Sequence, residues 1–174
     1  MITDLTILDT RTGQLYLATV LGLMLLLGLS RRFGLVFFAA AFPATLAHEL
    51  SHLLFGLLAN GRPSGMRLWP RRSTRGYVLG SVTCNNVRWY NGWLIGLAPL
   101  ALLPFAVLLL RWRVHSDPAM ALAELAWAYG IASLTLAALP SWQDVRIALA
   151  SSGVLLALLA AAVATQFGLI PFPG

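Results

Sequence analysis

Apolar runs separated by short polar segments dominate this chain. Five of them approach or exceed the roughly 20 residues needed to cross a hydrocarbon core of about 30 Å: residues 15–29, 34–59, 92–110, 118–139 and 145–167. The pattern predicts an all-α polytopic membrane protein with about five transmembrane helices. The first run is short, and Arg11, Arg31 and Arg32 at its ends can snorkel toward the interfaces. Residues 60–91 differ in kind. Met66-Arg67-Leu68-Trp69 and residues 76–83 have strand-like content, and Pro70 opens a turn-like stretch between them. This predicts a small β-hairpin between the second and third spans, at the inner membrane face. No repeat or low-complexity linker divides the chain, so residues 1–174 read as one integral membrane domain.

Composition strengthens the membrane reading. The chain is 59% hydrophobic and 10% charged, with a mean hydropathy of +0.78, which is more apolar surface than a soluble domain can hide. Its net charge of +6 comes from 12 basic residues, all arginine. They lie between apolar runs, where the positive-inside rule accounts for them, so nucleic acid is not an expected partner. Counted along the predicted spans, Arg11, the arginines from Arg62 to Arg88, and Arg146 share one side, against Arg31, Arg32, Arg111 and Arg113 on the other. That balance places the N-terminus inside, and the second span then runs inward. Absence of lysine and abundance of alanine, leucine and arginine suggest a bacterial cytoplasmic membrane. Residues 1–14 carry Asp4 and Asp9 and no basic start, so they do not read as a cleaved signal peptide. Cys84 is the single cysteine, which excludes an intrachain disulfide and a cysteine zinc cluster.

The candidate chemistry sits in the second run, which contains His48-Glu49-Leu50-Ser51-His52. Ionisable groups at that depth cost several kcal/mol unless they face a protein interior, a partner or water. Histidines at i and i+4 stack on one helix face, about 6 Å apart along the axis, and can reach one zinc ion. Glu49 can then act as base toward a water whose pKa zinc lowers to about 7, and as acid toward the leaving amine. A hydrogen-bonded polar knot between helices is the structural alternative. A catalytic zinc wants a third protein ligand. Asp4, Asp9, His115, Asp117 and Glu124 lie away from the predicted site, and Glu124 is expected to pair with Arg111 or Arg113 or to snorkel outward. Asp144, at the inner end of the fourth span, remains. Its alternative role is to cap the last helix or to pair with Arg146. Pro43 is expected to kink the second span and admit water, or to serve packing alone.

Taken together these residues resemble the site-2 proteases, zinc metalloproteases that cut within or next to membrane segments. The resemblance spans residues 34–150 and rests on the His48 to His52 motif, the strand-like segment, Gly96-Leu97-Ala98-Pro99 and Pro140-Ser141-Trp142-Gln143-Asp144. It implies zinc held by His48, His52 and Asp144, Glu49 as the catalytic residue, and a membrane-anchored protein substrate cut near the cytoplasmic face. The chain departs from the family where Leu136 replaces an asparagine and Val145 replaces a glycine. Ser141, Asn85, Asn86 and Asn91 are then the candidate transition-state donors. There is no inserted peptide-binding domain, so substrate choice falls to the spans, the hairpin or a separate regulatory membrane partner. Two other classes compete: a non-catalytic membrane protein that keeps the site for metal or partner binding, and a proton or metal conductor, which would need more intramembrane acids than Glu124.

Overall fold

A computed structural model of the chain describes residues 10–73, 76–116 and 122–167; Asp4, Asp9, Arg75 and Asp117 lie outside the described residues. The described chain is mainly helical. Helix α1 (Arg11–Leu29) starts at Thr10, whose hydroxyl accepts the Gly13 N–H at 3.1 Å. A 3-10 turn (Ser30–Phe33) and Gly34, at a left-handed φ of 43°, turn the chain into α2 (Leu35–Leu58). Pro43 lies inside α2. Its ring cannot donate to the carbonyl a turn earlier and crowds it, and close by the Tyr129 hydroxyl donates to the Ala40 carbonyl.

Two helical stretches, Arg11–Phe33 and Ala98–His115, are long and apolar enough to cross a membrane. Leu122–Ala137 with Trp142–Gly153, bent by 46°, makes a third if the pair is one span. At 24 residues α2 is longer than either, but it does not meet the same measure because His48, Glu49 and His52 dilute its apolar content. The expected third span is not one continuous helix. It divides into α3 (Gly92–Gly96), a 3-10 turn (Ala98–Ala101) and α4 (Leu102–His115). Pro99 sits at the start of the 3-10 turn, where its missing N–H costs least. Helices α5 (Leu122–Ala137) and α6 (Trp142–Gln166) follow, parted by Pro140.

The main apolar core joins α1 to α5, with Tyr16 and Val20 against Ala128, Ile131 and Ala132, and α4 contributes Leu109, Leu110 and Val114. Alanines at the contact let the helix backbones approach closely, as small residues do in membrane bundles. Outward faces carry Leu21, Leu25, Leu26, Leu54, Leu57, Leu108 and Leu156, all exposed.

The hairpin exists, in four short strands. β1 (Pro63–Arg67) pairs antiparallel with β4 (Ser81–Cys84), and β2 (Arg71–Ser73) with β3 (Gly76–Val78). Between the two ladders lie Pro70, which has no N–H to offer, and Gly80. The hairpin does not simply hang from the end of α2. Cys84 packs near Gly56, Gly80 lies on Glu49, and the Trp69 ring meets Phe38 edge-on at 5.4 Å. These contacts march backward along α2 over about 27 Å of helix. The strand at Arg71 is therefore carried toward the start of α2, away from the end at which the hairpin begins, so the arginine count used for orientation does not hold as made.

Candidate metal centre

Two elements, α2 and α6, bring His48, His52 and Asp144 together into a group able to hold a metal ion. The two histidines stand one turn apart on α2, and Asp144 lies in the first turn of α6. Each imidazole is aimed by a backbone carbonyl. His48 Nδ1 donates to the Ala137 carbonyl and His52 Nδ1 to the Ile95 carbonyl, both at 2.8 Å. A carbonyl oxygen only accepts, so in the neutral ring each Nδ1 carries the proton and each Nε2 keeps a lone pair.

Prolines leave these two carbonyls available. In a continuous helix Ile95 would accept from the residue four places on, which is Pro99 and has no N–H. Ala137 would accept from Ser141, but the chain breaks at Pro140 and the Ser141 N–H donates instead to Asp144 Oδ2 at 2.6 Å. Each break thus supplies an orienting acceptor of the kind that fixes ligand tautomers in metal sites.

The donor atoms crowd together, with each carboxylate oxygen of Asp144 turned toward one imidazole. His48 Nε2 and His52 Nε2 are 3.2 Å apart, Asp144 Oδ2 is 3.3 Å from His48 Nε2, and Asp144 Oδ1 is 3.2 Å from His52 Nε2. Tetrahedral zinc with bonds of about 2.0–2.1 Å sets its ligand atoms roughly 3.3–3.4 Å apart. Two imidazole nitrogens and a carboxylate at these separations are a donor set able to hold such an ion. Two imidazole lone pairs and a carboxylate facing one another repel unless a cation, either a metal or a proton, lies among them.

Asp144 occupies both places offered for it in the sequence. Besides facing the histidines it completes a capping box for α6, with Ser141 Oγ accepting the Asp144 N–H at 3.3 Å. Its approach to α3 is very close. A Cβ placed on Gly96 would fall 2.5 Å from the Asp144 carbonyl oxygen, so only glycine lets α3, carrying the Ile95 carbonyl, pack there.

Glu49 is buried at 6% exposure, near enough to His48, His52 and Asp144 for their charges to interact. A Cβ on Gly80 would come within 2.6 Å of Glu49 Oε1. Among the candidate donors, Ser141 adjoins the triad through the cap. Asn91 is fully committed elsewhere, donating to the Ala59 and Asn86 carbonyls and accepting the Arg88 N–H. Asn86 bonds the Asn60 carbonyl and Arg88, and Asn85 accepts from Ser64.

Glu124 is part of a separate cluster. It pairs with Arg113, whose Nε lies 3.3 Å from Oε2, and the Arg113 guanidinium stacks over Trp112 and Trp127 at 5.1 and 5.6 Å. This is the expected pairing. The sequence reading did not find the carbonyls of Ala137 and Ile95 or the contact of Gly80 with Glu49. The prolines signalled the first two, whereas no local pattern marked the third.

Compared with known proteins, the chain matches no family model, and neither a curated protein nor a solved structure is significantly similar to it.

Proposed function

We propose that this chain is a zinc-dependent intramembrane endopeptidase of the site-2 protease type, cutting a membrane-anchored protein substrate near the face at which α2 ends. The observation that carries the proposal is the close approach of His48 Nε2 and His52 Nε2, 3.2 Å apart, to the two Asp144 carboxylate oxygens, 3.3 and 3.2 Å from them, beside the buried Glu49. Zinc bound there would polarise a peptide carbonyl and make water a usable nucleophile near neutral pH. Glu49 follows His48 on the same turn, the place from which its carboxylate can take the proton of that water and pass it to the departing amine. The carbonyls of Ala137 and Ile95 hold the imidazole rings still through this exchange.

A helical substrate shields its carbonyls, so it must be drawn out before it can react. The strand edge at Gly76–Val78 and Ser81–Cys84 is suited to pair with such an extended segment. The bilayer setting is supported by the two long apolar helices and by the exposed leucines around them. In the N-in orientation the cleavage face is cytoplasmic and the bilayer is the bacterial inner membrane.

The test is cleavage of a co-expressed membrane-anchored substrate. Glu49→Ala should keep the zinc and abolish cleavage; turnover that survives the change would refute the mechanism.

A second reading has one observation in its favour. Asp144 is tied into the α6 cap and all three donor residues are largely buried, as in a site kept for stability or for binding a partner. That reading requires a closed, four-coordinate metal with no exchangeable water, which X-ray absorption spectroscopy would distinguish from an open site.

A further inference from the structure

Helix α3 is little more than a single turn, too short to hold its own place, yet its Ile95 carbonyl aims the His52 ring. Whatever α3 rests on therefore decides where that carbonyl lies. One side of it is seated on α6. A Cβ on Gly92 would stand 2.7 Å from Ser151 Cβ, and one on Gly96 would stand 2.5 Å from the Asp144 carbonyl oxygen, so two glycines one turn apart bring α3 against the helix that carries Asp144. Its attachment to α2 is polar. Asn91, 1% exposed at the start of α3, donates through Nδ2 to the Ala59 carbonyl at the end of α2, at 3.0 Å, and to the Asn86 carbonyl, at 2.9 Å. Its Oδ1 accepts the Arg88 N–H at 2.6 Å. The Asn91 carbonyl in turn accepts the Ile95 N–H at 3.0 Å, which ties the two residues together along α3.

We infer that Asn91 is a positioning residue for the metal centre: it pins the start of α3 to the end of α2 and so holds the Ile95 carbonyl on His52 Nδ1. This rests on reading His48, His52 and Asp144 as metal ligands. The reason is geometric. His52 and Ala59 lie two turns apart on α2, about 10 Å, and Asn91 and Ile95 lie one turn apart on α3, about 6 Å. Two hydrogen bonds, Asn91 to Ala59 and His52 to Ile95, close a ring between the two helices. With both made, α3 has one position along α2; with only the second, it can pivot about the His52 ring. Among the described residues α2 and α6 have few direct contacts, while α3 packs on both. The same pin therefore contributes to the spacing between the histidines on α2 and Asp144 on α6.

Two measurements on the full-length protein in liposomes test this, with Asn91→Ala and Asn91→Ser. Both variants keep the glycine seat on α6, and serine keeps a hydroxyl suited to a helix start but has one donor, so it cannot hold both carbonyls. The first measurement needs no metal. With isoleucine labelled with carbon-13 at its carbonyl and histidine with nitrogen-15 in its ring, rotational-echo double-resonance NMR should detect the Ile95–His52 dipolar coupling in wild type. That coupling should fall at least twofold in either variant, and coupling of wild-type strength in a folded variant would overturn the proposal. The second is a double-mutant cycle on zinc affinity. Asn91→Ser alone should weaken zinc binding about tenfold, but less than twofold in a Pro99→Ala background, where the Ile95 carbonyl is already withdrawn. Equal losses in the two backgrounds would also overturn it, because Asn91 would then act by a route other than Ile95. Wild type that binds no zinc, with the coupling still lost in the variants, would refute the metal reading and leave the hold of Asn91 on the His52 ring standing.

Discussion

Replacing Asp144 by alanine removes both the carboxylate facing His48 and His52 and the side-chain half of the α6 capping box. Ser141→Ala removes the hydroxyl side of the cap and leaves the carboxylate in place. Zinc titration and thermal denaturation separate the two roles. Ser141→Ala should cost about 1 kcal/mol of stability with little change in zinc affinity, while Asp144→Ala should lower zinc affinity at least a hundredfold. At this scale the sequence was highly informative. The i, i+4 spacing put both histidines on one face, and elimination among six acids left Asp144. Ligand and cap were weighed as alternatives, yet one side chain serves both because a carboxylate has two oxygens and four lone-pair positions.

The breaks between elements build the centre as much as the helices do. Pro99→Ala would offer Ile95 an N–H from within a continued helix and draw its carbonyl away from His52. The expected result is a 10- to 100-fold loss of zinc affinity, the usual range for an orienting partner, with far-UV circular dichroism unchanged or slightly more helical. Gly96→Ala acts on the opposite side of the same contact. Its methyl group meets the Asp144 carbonyl oxygen at 2.5 Å, so α6 must move away, at a cost of about 1–3 kcal/mol and with weakened zinc binding. Hydropathy alone ran the third span through residues 92–110 because Pro99 is flanked by alanine and leucine. The strand-like content of residues 60–91 identified the hairpin, but its course along α2 depends on Phe38 meeting Trp69 and Gly80 meeting Glu49. Those contacts join residues about 30 positions apart in sequence, beyond the reach of any local pattern.

For the whole molecule, the arrangement separates support from chemistry. The α1, α4 and α5 core holds the bundle, and the Arg113–Glu124 pair joins α4 to α5 at the opposite end of α5 from Ala137. Arg113→Ala leaves the Glu124 carboxylate buried without its partner, so it should lower the thermal midpoint while the zinc content of folded protein stays at the wild-type level. Because the hairpin runs back along α2, sidedness is a matter for experiment. Single cysteines at Ser30 and at Ser64, each in a Cys84→Ser background, should label from opposite sides of sealed vesicles if α2 crosses the bilayer, and from the same side if it does not.

The metal content of the purified protein tests the central claim most directly. Zinc per chain should be near one in folded wild type after a metal-limited wash and should fall sharply in Asp144→Ala under the same wash. Folded wild type that holds no zinc would contradict the account and leave His48, His52 and Asp144 as a proton-bridged polar knot between helices.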